Sequence, residues 1–314
     1  DYRFTARRAY LDPDIRPLLG RRLRLDAFEI EGASLNLARS DEPFELPRWP
    51  ESLPPIEMPI AIQADRIVID GLDVSSGGEH VIDIRSLRGG IDIANGSLHA
   101  ERLAIDSDLG LFSVHGSYEP VHDYRSDILV TAVLPAPRGQ SPARLGLLAR
   151  GDLSQMEVGI GGRAPEPLRA TLTLGGDEDA PTWRLLASSQ GLDPALFTGG
   201  EPAPDAAITF DLQASGTGGG ADLSGQLGRG GQQVTIAPSH VQLENQVLTV
   251  APLALELYGG TMQLKGRADF SDPEDGRFRF ALNAQGLVFE AEDPAAPAIG
   301  VDAALGVAGS LENW

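Results

Sequence analysis

The chain has 314 residues and sets 25 Lys plus Arg against 45 Asp plus Glu, a formal net charge of −20. Such a field repels nucleic acid and anionic headgroups alike, and the lack of any cysteine removes disulfides, thiolate metal sites and Cys nucleophiles together. With 42% hydrophobic residues the chain folds, while 37 Gly and 23 Pro leave little room for long helices.

The chain opens at Asp1 without an initiator Met or a signal-like segment and stops at Trp314 after an alternating run, so it reads as a piece of a longer protein. Its longest stretch free of Asp, Glu, Lys and Arg is 230–243. That run is too short and polar for a bilayer span, which needs about 20 apolar residues. Residues 1–40 read as strands around Leu23, Leu25, Phe28 and Ile30, with a short helical stretch over Asp12–Leu19. Residues 41–59 form a connector: Pro43, Pro47, Pro50, Pro54, Pro55 and Pro59 forbid a central strand.

From 60 to 135 apolar residues recur at every second position, the mark of strands with one buried face. The pairs are Ile67 and Ile69, Ile82 and Ile84, Ile91 and Ile93, Leu103 and Ile105, Phe112 and Val114, and Ile128 and Val130, with Leu98 between. A block over 136–206 continues with Leu172, Leu174 and Leu185. It holds one helical turn, Asp193–Phe197, in which Asp caps and Pro takes the first helical position. The block 207–290 carries Ile208, Phe210 and Leu212, then Val241 and Leu243, Leu248 and Val250, Leu253 and Leu255, Met262 and Leu264, and Phe278 and Phe280. Residues 291–314 begin a further block. Gly-Gly, Asn-Gly, Asp-Gly and Asp-Pro pairs between these segments supply hairpin turns.

The sequence also repeats itself. Shifted by 150, residues 91–116 fall on 241–266 without a gap, matching Asn95 to Asn245, Leu103 to Leu253, Gly110 to Gly260 and Gly116 to Gly266. Farther on, Ile128, Val130 and Ala132 fall on Phe278, Phe280 and Leu282, and a shorter echo lays Phe28–Gly32 on Ile67–Gly71. About 20 strands at roughly 4.8 Å spacing would extend on the order of 100 Å. The expectation is an all-β fold with minimal helix: an elongated, twisted, curled antiparallel sheet, apolar on its concave face and polar on its convex face. The same alternation is equally compatible with two or three β-sandwich domains.

Catalytic constellations are sparse. His80, His99, His115, His122 and His240 stand apart, outside any zinc-ligand spacing. Lys265, the sole lysine, follows no phosphate loop, and no Gly-x-Ser-x-Gly elbow occurs. The run Gly216–Ala221 continues into strand-like residues, which makes it a hairpin loop rather than a dinucleotide fingerprint. Asp106 with Asp108, and Asp177-Glu178-Asp179, lie in turn-like segments that favour Asp for its backbone habits. The expected protein is therefore not an enzyme and takes no metal or cofactor. The positive signal is the apolar face, which in an open sheet would shelter acyl chains at about 0.8 kcal/mol per buried CH₂. The apolar residues from Leu25 to Phe280, Phe28 aside, are its expected lining.

Several stretches carry a family resemblance: Leu23-Arg-Leu25 through Leu35-Asn-Leu37, Pro43-Phe-Glu-Leu-Pro47, Pro59-Ile-Ala-Ile62 and Asp65–Gly71. Others are Asn95-Gly-Ser-Leu98, Leu103-Ala-Ile105, Phe112–Gly116, Gly191–Phe197, Val247-Leu-Thr-Val250 and Leu253–Gly260. Together they resemble the TamB family of AsmA-like, bridge-like lipid-transfer proteins of Gram-negative envelopes, over nearly the whole chain. The resemblance implies a periplasmic β-groove that is anchored in the inner membrane and reaches an outer-membrane barrel partner of the TamA kind. It implies passive movement of phospholipid toward the outer membrane, or, in an alternative role, scaffolding of outer-membrane and secreted β proteins through exposed edge strands. On this likeness the chain is a middle section, with both anchor and barrel-docking region outside it.

Overall fold

The computed structural model describes residues 3–14, 22–38, 55–56, 60–136, 141–177, 180–198, 206–271, 276–289 and 297–310. They form 18 strands and one short helix, α1 (Ala195–Thr198). The chain divides into two compact units. The first holds β1 (Arg3–Asp14), β2 (Arg22–Leu37), β3 (Ala61–Ser76), β4 (Glu79–Ala94), β5 (Ser97–Ser107), β6 (Gly110–Glu119), β7 (Arg125–Val133), β8 (Arg144–Asp152) and β9 (Gln155–Arg163), together with α1. The second holds β10 (Pro167–Asp177), β11 (Ala180–Leu192), β12 (Ile208–Thr217), β13 (Gly220–Arg229), β14 (Gln232–Glu244), β15 (Val247–Leu257), β16 (Gly260–Asp269), β17 (Arg277–Phe289) and β18 (Ile299–Ser310).

Within each unit every strand pairs with the next in sequence, and no ladder among the described residues joins first to last, so neither sheet closes. Two-residue turns drive this order. Thr217 faces Gly220 across Gly218-Gly219, and Glu244 faces Val247 across Asn245-Gln246. The run 216–221 is thus the hairpin expected of it. The all-β class with minimal helix holds as expected, and the helical turn after Asp193 is present as α1.

Three expectations need correction. The β2–β3 pair is parallel, with Leu25 on Ala64, Phe28 on Ile67 and Ile30 on Ile69, so the sheet is mixed rather than wholly antiparallel. A parallel pair cannot be joined by a tight turn, and the long Pro-rich segment between them supplies the crossover length. Apart from 55–56 that connector lies outside the described residues. Second, Asp12–Asp14 belong to β1 and pair with Ala27, Leu25 and Arg24, so the expected helix does not begin there; its remainder lies outside the described residues. Third, the repeat does not carry Ile128, Val130 and Ala132 onto Phe278, Phe280 and Leu282, because the strand after β16 takes a different register from the strand after β6.

The repeat itself is structural. β5 and β6 transpose onto β15 and β16 end for end, and the bulge between Ala100 and Leu103 recurs between Val250 and Leu253. The preceding partners also agree, Ile91 with Ala100 and Ile93 with Leu98 against Val241 with Val250 and Leu243 with Leu248. The following strand slips by two: Val114 faces Val130, whereas Leu264 faces Leu282.

Burial is thin. Leu25, Ala64 and Ile67 make a fully buried cluster, flanked by partly buried Leu23, Phe28, Ile62, Ile69, Leu87 and Ile91. It sits on the parallel ladder, where β2, β3 and β4 stack aliphatic side chains. Elsewhere the apolar residues of the strands are mostly half-buried. A sandwich would bury its inner face fully, so the sandwich alternative does not describe either unit.

Candidate functional site: the apolar face

Side chains alternate across a pleated strand, and an in-register ladder lines up like parities from strand to strand. In the first unit this places Ile69, Leu87, Ile105, Phe112, Ala132 and Leu145 in one row across β3–β8. A second row runs Leu103, Val114, Val130, Leu147, Ile160. Ile62, Ile93 and Leu98 form a third, Ala64, Ile91 and Ala100 a fourth, and Ile82 and Ile84 face Val74 and Leu72. Ile128 continues the fourth row through Gly116.

In the second unit Leu172 and Leu185 lead to Ala214 and Leu223, while Leu174 faces Trp183. The longest row runs Leu212, Gly225, Ile236, Leu255, Met262, Ala284. Beside it lie Phe210, Leu227 and Val234, then Leu253, Leu264 and Leu282. Val241, Val250, Gly266 and Phe280 make another row, and Leu243, Leu248, Ala268 and Phe278 the next. Ile208 shares the parity of Phe210 at the end of β12, opposite Leu192.

Of the expected lining residues, Leu25, Ile30, Ile67, Leu174 and Val250 are buried, and all the others are half-buried; none is classed as exposed. The sequence reading left out β8 and β9. Their Leu145, Leu147, Met156, Val158 and Ile160 face the same side, and the alternation Met156-x-Val158-x-Ile160 was the available signal. Ile236 and Leu87 were missed likewise, because register shifts at Leu223/Gly225 and Ile84/Ser86 put an extra residue into β14 and β4 and break the two-residue period next to them; Leu227 keeps the parity of Leu223 and was passed over.

The opposite face carries the charge. Arg24 Nη2 reaches Asp65 at 2.6 Å, Arg66 reaches Glu29 at 2.8 Å, Arg88 reaches Asp70 at 3.1 Å, and Arg85 pairs with Asp106. These cross-strand pairs are exposed, so each adds little stability but fixes which face meets water. Exposed leucines interrupt the polar surface, among them Leu111, Leu186 and the facing pair Leu129 and Leu148, 48% and 42% exposed.

The histidines spread over this outer face. His80 lies between two carboxylates, with Nδ1 at 3.3 Å from Asp73 and Nε2 at 3.0 Å from Asp108. The hydrogen bond with Asp108, followed by that with Asp73, holds the His80 imidazole above its ordinary value and Asp108 below that of a free carboxylate. His99 meets the Ser117 hydroxyl at 2.9 Å and stands edge-on to His115. His122 pairs with Glu119. His240 meets Asp222 at 2.8 Å in a shallow cleft shared with Arg184, Gln213, Ser215 and Ser224. Ser224 accepts from Gln213, and Ser239 donates to the Ala237 carbonyl; neither hydroxyl is hydrogen-bonded to His240. Among the described residues no three His, Asp or Glu converge on a metal position, and no helix is long and apolar enough to cross a membrane.

The chain matches no family model, no curated protein and no solved structure.

Proposed function

We propose that the apolar face binds the acyl chains of phospholipids and that the protein is a non-enzymatic lipid conduit. One observation carries the reading: rows of apolar side chains, with an occasional glycine among them, cross many strands yet stay half-open to water. Leaving such a face wet is costly, and a monomer seldom exposes one without a use. A row of six strands, such as Leu212 to Ala284, measures about 24 Å, close to an extended acyl chain. A chain of roughly 15 carbons leaving water for such a surface gains up to about 12 kcal/mol, enough to hold lipid without any polar site.

Placement in the periplasm, anchorage in the inner membrane and an outer-membrane barrel partner belong to the same proposal and rest on the TamB-like sequence features. The test is photocrosslinking from neighbouring positions of opposite parity. A photoreactive residue at Ile105 or Leu255 should capture phospholipid, and one at Asp106 or Glu256 should not. Capture restricted to the outward pair would refute the reading.

A further inference from the structure

We propose that the outer face of the second unit binds a neutral oligosaccharide, in the cleft that runs across β11–β15 from Arg184 to His240 and Pro252. One row of ladder partners, Arg184, Ser215, Asp222 and His240, lines it, with Leu186, Gln213 and Ser224 in the row beside. From Arg184 to His240 the row crosses three strand spacings, about 14 Å. The cleft encloses about 480 Å³, within the range of ligand sites. A second hollow, lined by Thr173, Thr182 and Thr217, shares Arg184, Ser215 and Asp222 with it, so the polar groove continues toward β10.

The cleft exists because two prolines part the sheet. Between the pairs Ile236–Leu255 and Val241–Val250 the β14–β15 ladder has no partners, four residues on each strand. The transposed β4–β5 ladder stays joined there, through Arg88 with Ala104 and Gly90 with Glu101. Pro238 and Pro252 stand where the first unit has Arg88 and Arg102. Proline brings no N–H to a ladder, and its ring fixes φ at about −65°. Arg102 makes the β5 bulge at a φ of 47°, a backbone that Pro252 cannot repeat. Ser239, buried beneath the opening, ties the two strands instead: its hydroxyl accepts from the Ala254 N–H at 2.9 Å and donates to the Ala237 carbonyl at 2.7 Å. Two neighbouring central strands thus give up ladder bonds that the first unit keeps.

The walls select the ligand. Gln213 donates to Ser224 at 2.9 Å, and His240 Nδ1 meets Asp222 Oδ1 at 2.8 Å. That leaves Gln213 Oε1, the Ser215 hydroxyl, the Ser224 O–H, Asp222 Oδ2 and His240 Nε2 without a protein partner among the described residues, a mixed set of donors and acceptors. Arg184 likewise has no carboxylate partner among them, unlike Arg24, Arg66, Arg85 and Arg88 on the outer face of the first unit. Arg184 and Asp222 cancel in charge, so nothing at the site offsets the repulsion that a net −20 imposes on an anion. Leu186, 48% exposed, and the rings of Pro238 and Pro252 set apolar walls among these polar groups. A neutral saccharide presents the matching pattern, hydroxyls along its ring edges and C–H groups on its faces.

Calorimetric titration of the purified chain with maltotriose, cellotriose and tri-N-acetylchitotriose, and with inorganic phosphate, tests the site. At least one trisaccharide should bind, and phosphate should not. Gln213→Ala and Asp222→Ala alter exposed side chains and should each weaken that binding about tenfold, with the urea midpoint little changed. A Pro238→Ala, Pro252→Ala double variant regains two N–H donors, so it should close the ladder and lose binding while keeping its β-sheet circular-dichroism spectrum. Failure of all three trisaccharides, binding of phosphate in their place, or saccharide binding that survives these substitutions undiminished would each overturn the proposal. The cleft lies on the face opposite the acyl-chain rows, so this site and the lipid reading fail separately.

Discussion

Gly32 and Gly71 lie side by side across the parallel β2–β3 ladder, each with a left-handed backbone, φ 58° and 80°. A Cβ on Gly71 would stand 3.8 Å from the Gly32 Cα, an ordinary contact, so the demand at this position is conformational and not steric. Gly71→Ala should therefore cost about 1 kcal/mol. Gly116 in β6 differs, because its φ of 134° is combined with a Cβ that would collide with the Asp127 carbonyl of β7. Gly116→Ala should cost about 3 kcal/mol. Urea unfolding of the two variants checks the order, and equal midpoints would contradict it.

His80 fastens the β3–β4 hairpin to the β5–β6 turn through Asp73 and Asp108, and Asp108 also accepts from the Asp83 N–H at 2.9 Å. With its folded value raised above 6.5, His80 adds stability that is complete below the ordinary imidazole range and fades as pH rises through the raised value. Asp108, lowered from 3.8 by the His80 hydrogen bond first and the Asp83 N–H second, adds stability that is present above the carboxylate range and fades as pH falls through its lowered value. The clasp is strongest between the two. In denaturant melts, His80→Gln should flatten the loss of stability that wild type shows as pH rises through and above the ordinary imidazole range. An identical slope in wild type and variant would remove the clasp from the account.

Truncations should separate packing from the open face. Ile67 is 8% exposed beside Leu25 and Ala64, so Ile67→Ala should cost about 2–4 kcal/mol. Ile105 is half-buried on the same face, and Ile105→Ala should cost about 1 kcal/mol. Adding phospholipid should widen the Ile105 penalty and leave that of Ile67 unchanged. Equal costs in lipid-free buffer would mean that the face is closed.

Much of the face was legible because parity survives in sequence: Phe112 and Val114, or Met262 and Leu264, declare their side at a glance. The bulges at Ala100/Leu103 and Val250/Leu253 could be read only through the repeat, since each resets the period. β1 escaped notice for a physical reason. It is exposed on both faces, so Arg3, Arg7 and Arg8 mask the alternation, and Asp12-Pro13 imitates a helix start. The parallel ladder was present as the 39-residue echo of Phe28–Gly32 in Ile67–Gly71, whose matched residues prove to be ladder partners. An echo between two strands does not announce that they touch.

The most direct test of the conduit reading is the lipid content of the purified chain, determined by extraction and mass spectrometry. Wild type should carry phospholipid, and a Leu255→Glu, Met262→Glu variant that keeps its β-sheet spectrum should have lost it, because two charges then sit mid-row on the apolar face. Lipid-free wild type after exposure to vesicles, or equal loading of the variant, would contradict the account.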